Sequence, residues 1–203
     1  NNHYNNKLVA EKLARLHKLV RPLINYSYVT SRSWPVVFVH GFNGNASINC
    51  TSGYWGTATS FLHNTYGWTG SLYTVGYYKG DGGCSAYLGN YAAYCTSVYA
   101  GNQGTTNEDI RHISCELAWY LWFNFTQYDE NVQLVGHSMG GLIIRQALYD
   151  TPIDYYLPPY LMVQDAVTMA TPHSGIPIFG ASIFICGGCL QAQQMRSNNG
   201  FIT

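Results

Sequence analysis

The sequence predicts a single α/β domain in which helices cover both faces of a mostly parallel β-sheet. Apolar runs at 36–39, 132–135 and 161–169 alternate with segments whose apolar residues recur every three or four positions. Short turns join these segments, and such an alternation of strand and helix patterns is typical of parallel sheets. With 203 residues the chain is long enough for one domain with a substantial core.

Composition excludes several classes of function. The formal net charge is zero, only 10% of the residues are charged, and no basic run could bind phosphates, so we expect no nucleic-acid partner. No apolar run reaches the ~20 residues of a transmembrane helix. Aromatic residues make up 15% of the chain, including 18 tyrosines. This balance suits neutral or apolar ligands.

The N-terminal part leads to the first predicted strand. Residues 1–33 are interpreted as a covering helix and a lead-in, because apolar residues of 7–20 recur at helical spacing and Pro22 ends the pattern. The run at 36–39 is continuously β-branched or aromatic, which indicates a strand buried on both faces. Gly41 in the loop that follows allows a tight turn, and the backbone N–H of Phe42 is a candidate to stabilise an oxyanion.

The middle of the chain contains a long insertion. A helical pattern at 57–66 and a strand pattern at 71–77 precede it. The insertion itself, at 80–104, is rich in Cys, Tyr and Gly and exceeds most connections in compact domains. Two interpretations stay open, a tyrosine-rich rim at a substrate entrance and a disulfide-stapled surface loop.

The most informative stretch contains the second of these apolar runs and the residues that follow it. Residues 106–109 resemble a helix start, and a helix pattern leads from there to the strand at 132–135. Ser138 comes next, flanked by Gly136 and Gly140, and a helix pattern resumes at 142–148. A serine on a sharp strand-to-helix turn needs small neighbours two positions away on each side. We interpret Ser138 as a nucleophile, with the N–H of Met139 as a second oxyanion donor.

Three segments in this order resemble the α/β-hydrolase superfamily and, within it, secreted serine lipases and esterases. They are Val36 to Phe42, Leu134 to Gly141 and Val167 to Gly175. The resemblance implies hydrolysis of carboxylic esters of apolar acyl groups through an acyl-enzyme, without a metal or organic cofactor. It also implies an apolar ester substrate, met at a lipid–water interface in the case of a lipase.

The acid and base of the expected catalytic triad are less evident. In that family they follow the serine, acid first. Beyond Ser138 the only histidine is His173, and Asp165 is the acid that precedes it most closely. Either these two residues form an unusual pair, or the acid and base lie beyond Thr203, on a C-terminal segment or a second chain. We favour the second interpretation, which also predicts a sheet that lacks its C-terminal strands and leaves an edge strand uncovered.

Six cysteines in loop-rich stretches favour disulfides and a secreted protein. Six cysteines allow many pairings, so the connectivity is a hypothesis: Cys84 with Cys95 as a short loop, Cys186 with Cys189, and by elimination Cys50 with Cys115. Cys186 and Cys189 could alternatively form half of a zinc site, but no further pair of ligands has suitable spacing.

Two other functions share these features. A catalytically incomplete α/β-hydrolase-like binding or interaction protein would explain the missing acid and base. An acyltransferase would use the same motifs and differ only in excluding water.

Overall fold

Five parallel strands form one sheet in the order β3-β2-β1-β4-β5 in the computed structural model, which describes residues 31–177 and 186–202. The strands are β1 (Val36–Val39), β2 (Leu72–Gly76), β3 (Ala86–Tyr87), β4 (Val132–His137) and β5 (Val163–Met169). The predicted parallel sheet is therefore confirmed. The helix expected at 7–20 lies outside the described residues.

Four α-helices accompany the sheet in the described part of the chain. They are α1 (Gly56–Ser60), α2 (Ile110–Asn124), α3 (Met139–Asp150) and α4 (Leu190–Gln194). Two π-helical turns, Cys50–Trp55 and Phe61–Thr65, flank α1. None of the described helices is both long and apolar enough to cross a bilayer.

The central strand β1 packs against apolar residues on both faces of the sheet. Val37 and Val39 belong to the apolar cluster that contains the buried residues of α2 and α3. Val36 and Phe38 point to the other face, where they pack with Trp55 and Trp68. All four strand residues are buried, as the continuous apolar run predicts. Helical segments on both faces confirm the predicted layering.

Strand order fixes where a ligand can bind. The chain runs outward from β1 to β2 and β3, then returns to the other side of β1 with β4 and β5. In a parallel sheet of this type a crevice opens at the carboxyl ends of the strands where the order reverses, here β1 and β4. The loop at Gly41 and the turn at Ser138 follow these two strands.

Two of the predicted disulfides are wrong. Cys50 pairs with Cys84 and Cys95 with Cys115, at Cα distances of 4.9 and 5.9 Å, while Cys186–Cys189 is confirmed. The short loop between Cys84 and Cys95 contains β3 and the 3₁₀ turn Leu88–Tyr94, which carry its two ends apart. Each cysteine therefore meets a partner on a neighbouring element, within the range a disulfide requires.

The insertion at 80–104 packs against α2. Its Tyr91 ring lies 5.8 Å from that of Tyr120, and its Tyr94 ring lies 5.2 Å from that of Trp119. The Cys95–Cys115 disulfide joins the same two elements. These contacts favour the stapled-loop interpretation over a tyrosine-rich rim at a substrate entrance.

Strand β5 forms an uncovered edge of the described sheet. It pairs with β4 on one side, and every residue from Gln164 to Met169 is exposed. Val167 and Met169 are 53% and 41% exposed, which is unusual for apolar residues of a parallel sheet. The bare edge predicted from the sequence is present among the described residues.

Candidate functional site

Ser138 occupies a strained turn between β4 and α3. Its φ and ψ are 55° and −124°, in a region that residues with a side chain rarely adopt. Its N–H donates to Met169 O at 2.8 Å, which ties the turn to the carboxyl end of β5. This geometry lifts the serine side chain above the sheet edge, as a nucleophile on such a turn requires.

Close backbone contacts explain the glycines around the turn. A Cβ on Gly136 would lie 2.7 Å from Gly141 Cα, and a Cβ on Gly140 would lie 2.1 Å from Val39 O. A Cβ on Gly41 would lie 2.8 Å from Ser138 Cβ. The turn, the start of α3 and the loop after β1 therefore meet at distances that leave no room for side chains.

Tyrosine hydroxyls accept hydrogen bonds from two backbone N–H groups of the loop after β1. Gly41 N–H donates to Tyr54 Oη at 2.7 Å, and Asn43 N–H donates to Tyr78 Oη at 3.3 Å. The Phe42 N–H between them donates to no residue of the described chain, and neither does that of Met139, the first residue of α3. These two free amides are the expected oxyanion donors, and they belong to the two segments that meet at Ser138.

Tyr54 connects this loop to the serine turn. Its hydroxyl oxygen accepts from Gly41 N–H and lies 2.6 Å from His137 Nδ1, within hydrogen-bond distance. Burial raises the pKa of Tyr54, although the bond from Gly41 opposes the shift, so the phenol stays protonated and can donate. The His137 ring is thus engaged with Tyr54.

A buried histidine and aspartate support the loop through hydrogen bonds. His40 Nε2 lies 2.9 Å from Asp81 Oδ2, and His40 Nδ1 lies 2.8 Å from Gly41 O. Asp81 also accepts from the N–H groups of Ile48, Tyr77 and Tyr78. Because Asp81 joins the carboxyl ends of β1 and β2, it fixes the loop in which Phe42 lies.

Asp165 and His173 form hydrogen bonds with residues other than Ser138. Asp165 pairs in register with Gln133, three residues before Gly136 and thus roughly 10 Å from the turn, and it accepts a hydrogen bond from that glutamine. His173 Nε2 lies 2.9 Å from Thr168 Oγ1. Among the described residues, neither side chain forms a hydrogen bond with the Ser138 hydroxyl.

Sequence analysis missed Tyr54 and Asp81. Tyr54 carries no local signal, because its partners Gly41 and His137 are distant in the chain. For Asp81 a signal existed: an acid followed by two glycines often bonds nearby backbone N–H groups in a turn. That pattern predicts a bond to an N–H two residues further on, but not the bonds to Tyr77, Tyr78 and His40.

Solved structures similar to this chain include one lipase in two forms and an acetylxylan esterase. A lipase from Bacillus licheniformis in its mature form is 16% identical with a TM-score of 0.47, over 88% of this chain and 60% of that one. Its propeptide form is 16% identical with a TM-score of 0.47, over 85% of this chain and 31% of that one. An acetylxylan esterase is 15% identical with a TM-score of 0.42, over 72% of this chain and 67% of that one. This chain therefore spans less than two thirds of the length of the lipase in either form.

The sequence has no significant match among curated proteins. Residues 83–200, more than half of the chain, match the family described as "Putative serine esterase (DUF676)". The matched range contains Ser138 and the glycines on either side of it. The chain belongs to this family.

Proposed function

We propose that this protein hydrolyses carboxylic esters of apolar acyl groups through an acyl-enzyme on Ser138. One observation carries the proposal: a strained serine lies where two segments meet, and each segment offers a backbone N–H that has no partner among the described residues. Membership in a serine esterase family supports ester hydrolysis in general. The choice of apolar acyl groups rests on the composition and on the exposed Met169 beside the turn.

The chemistry follows from these groups. The Ser138 oxygen attacks the acyl carbon, and negative charge develops on the former carbonyl oxygen. The N–H groups of Phe42 and Met139 stabilise that charge, an effect worth roughly 10²–10³ in rate for a single donor. Loss of the alcohol leaves an acyl-enzyme, which water then cleaves.

A base must remove the serine proton, and an acid must orient that base. His40 and His137 are engaged with Asp81 and Tyr54, and His173 bonds to Thr168. We therefore propose that acid and base come from residues outside the described part, on a C-terminal segment or a second chain. The three disulfides support a secreted protein.

Hydrolysis of p-nitrophenyl esters of increasing acyl length tests the proposal on the native, full-length protein. We expect activity that Ser138→Ala abolishes and that increases beyond about eight carbons, because longer chains bury more apolar surface. Ser174→Ala is the matched control, since this exposed serine lies in an ordinary turn. Equal activity of wild type and Ser138→Ala would refute the nucleophile. A preference for acetyl esters would refute the apolar substrate alone.

A binding or interaction protein is the second candidate, because no described histidine bonds to the Ser138 hydroxyl. Such a protein would bind an apolar ester without cleaving it. Equilibrium binding of a long-chain ester, with no release of alcohol over hours, would favour this candidate. An acyltransferase would instead release the alcohol and pass the acyl group to an added acceptor.

A further inference from the structure

Three titratable side chains form a buried cluster away from Ser138. Glu108, His112 and Glu116 occupy every fourth position across the start of α2, and their side chains are 1%, 2% and 0% exposed. His112 Nδ1 lies 2.6 Å from Glu108 Oε1 and 3.5 Å from Glu116 Oε1. One donor atom from each residue fits within 4.8 Å of the others. Burying two carboxylates beside one imidazole is costly unless something neutralises their charge.

Two oxygen atoms at this cluster lack partners. Glu116 Oε2 and Tyr87 Oη are buried, and neither forms a hydrogen bond within the described residues. The other carboxylate oxygens are bonded: Gln103 Nε2 donates to Glu116 Oε1 at 3.3 Å and Gly104 N–H to Glu108 Oε2 at 2.6 Å. Buried polar atoms of native proteins nearly always have a partner, so two unpartnered oxygens at one cluster require an explanation.

Tyr87 reaches the cluster from the insertion at 80–104. A Cβ on Gly104 would lie 2.7 Å from Tyr87 Oη, while the N–H of the same glycine bonds to Glu108. A Cβ on Gly89 would also lie 2.7 Å from Tyr87 Oη, and Gly89 O accepts from the Gln103 amide that bonds to Glu116. Both glycines thus lie in close contact with the phenol, and a side chain at either position would clash with it.

We propose that Glu108, His112 and Glu116 bind one Zn²⁺ ion, with the hydroxyl of Tyr87 next to the fourth coordination position. Two carboxylates balance the charge of the ion, and its binding would give Glu116 Oε2 the partner it lacks. Ligands ~2.05 Å from a tetrahedral ion lie roughly 3.3 Å apart. The 3.5 Å separation fits this value, and the 2.6 Å separation must increase by roughly 0.7 Å.

The donor set favours zinc over the hard cations. An imidazole nitrogen with two carboxylates suits Zn²⁺, whereas Ca²⁺ needs six to eight oxygen ligands and Mg²⁺ keeps several waters. With all three ligands buried, the ion would be structural. It would join α2 to the insertion through Glu108, Gly104 and Gln103, and so support the disulfide Cys95–Cys115.

The competing way to neutralise the cluster is a proton. Burial, then the charge of Glu108 and a hydrogen bond with that residue, raise the pKa of Glu116 to about 9, while the bond from Gln103 opposes the shift. A protonated Glu116 bonded to Glu108 would therefore also lower the charge. Measuring the metal content of the protein distinguishes a bound Zn²⁺ ion from a proton. Native, disulfide-bonded protein without a polyhistidine tag would be stripped with a chelator, incubated with Zn²⁺, dialysed against a weak chelator and analysed for bound metal.

We expect about one Zn²⁺ per chain and a Tm that rises by roughly 5–10 °C at a free Zn²⁺ concentration ~100 times the Kd. Glu116→Gln should lose both effects, while Glu130→Gln, an exposed glutamate, should keep them. No retained zinc and no Tm shift in the wild type would overturn the proposal in favour of the proton. Equal zinc retention by Glu116→Gln would place the ion elsewhere and overturn it too.

Should Glu116→Gln fail to fold, the wild type alone suffices. Anomalous diffraction at the zinc edge from crystals of the zinc-loaded protein should give a peak within ~2.2 Å of His112 Nδ1 and of a Glu116 oxygen. Loaded crystals without a peak at the cluster would overturn the proposal.

Discussion

Gly140→Ala tests whether the close contact of α3 with β1 sets the geometry of the serine turn. A Cβ at this position would lie 2.1 Å from Val39 O and 2.5 Å from His40 O. Both atoms are backbone, so no side chain can rotate away. To reach ordinary contact at ~3.4 Å, the start of α3 and the end of β1 must separate by roughly 1.3 Å.

Two effects of opposite sign contribute to the change in stability. Alanine is the better helix former, which stabilises a helix by about 1 kcal/mol relative to glycine. Overpacking a rigid contact costs about 1–3 kcal/mol, and here the contact is with backbone. We expect a net loss of about 2 kcal/mol, or roughly 4–8 °C in Tm for a chain of this size. A displacement of ~1 Å between Ser138 and the Phe42 loop should lower kcat/KM by about 10².

Thermal unfolding and ester hydrolysis, measured on the same samples, check both effects. Gly53→Ala is the matched control: it lies in a helical turn and its Cβ would meet nothing closer than Asn49 Cβ at 3.8 Å. It should gain the helix propensity without the clash. If Gly140→Ala matched this control in Tm and kept wild-type kcat/KM, the steric argument would be wrong.

Three further changes test other contacts. Tyr54→Phe should lower kcat/KM by about tenfold and the free energy of unfolding by about 1–3 kcal/mol, because Gly41 N–H and His137 Nδ1 lose their partner. Ester hydrolysis and urea titration measure the two effects, and the exposed Tyr128→Phe should change neither. Asp109→Ala removes the N-cap of α2 and should cost about 1–2 kcal/mol in urea unfolding at pH 7. Burial raises the pKa of Asp109, but bonds from the Arg111 and Gln194 side chains and the Arg111 N–H lower it overall. The stability lost in Asp109→Ala should therefore shrink as pH falls through that lowered pKa. A loss that stayed constant down to about pH 2 would contradict this. Replacing Cys95 and Cys115 by alanine opens a link across 20 positions and should lower the free energy of unfolding by about 3 kcal/mol, with no change in urea midpoint refuting the role of the disulfide.

Local patterns sufficed to predict the sheet and the turn. The run at 36–39 predicts β1 with its observed bounds, because a strand buried on both faces needs uninterrupted apolar residues. The helix face Ile110, Ile113, Leu117 and Leu121 is fully buried, as its spacing predicts. The expected strand at 161–169 begins two residues later, at Val163.

Long-range contacts were beyond local patterns. The pairs Cys50–Cys84 and Cys95–Cys115 depend on how β3 and a 3₁₀ turn fold back, and neither element has a clear period in the sequence. The bond of His40 to Asp81 joins residues 41 positions apart and has no repeat that would predict it. Glu108, His112 and Glu116 differ in this respect, because spacing by four on a predicted helix already places them on one side.

Labelling with a fluorophosphonate tests the central claim most directly, since this reagent phosphonylates only an activated serine. The native, full-length protein would be treated with the reagent, digested and analysed by mass spectrometry, alongside Ser138→Ala. The account predicts one label per chain, on the peptide that contains Ser138, and none on the variant. An unlabelled wild type, or equal labelling of the Ser138→Ala variant, would contradict it.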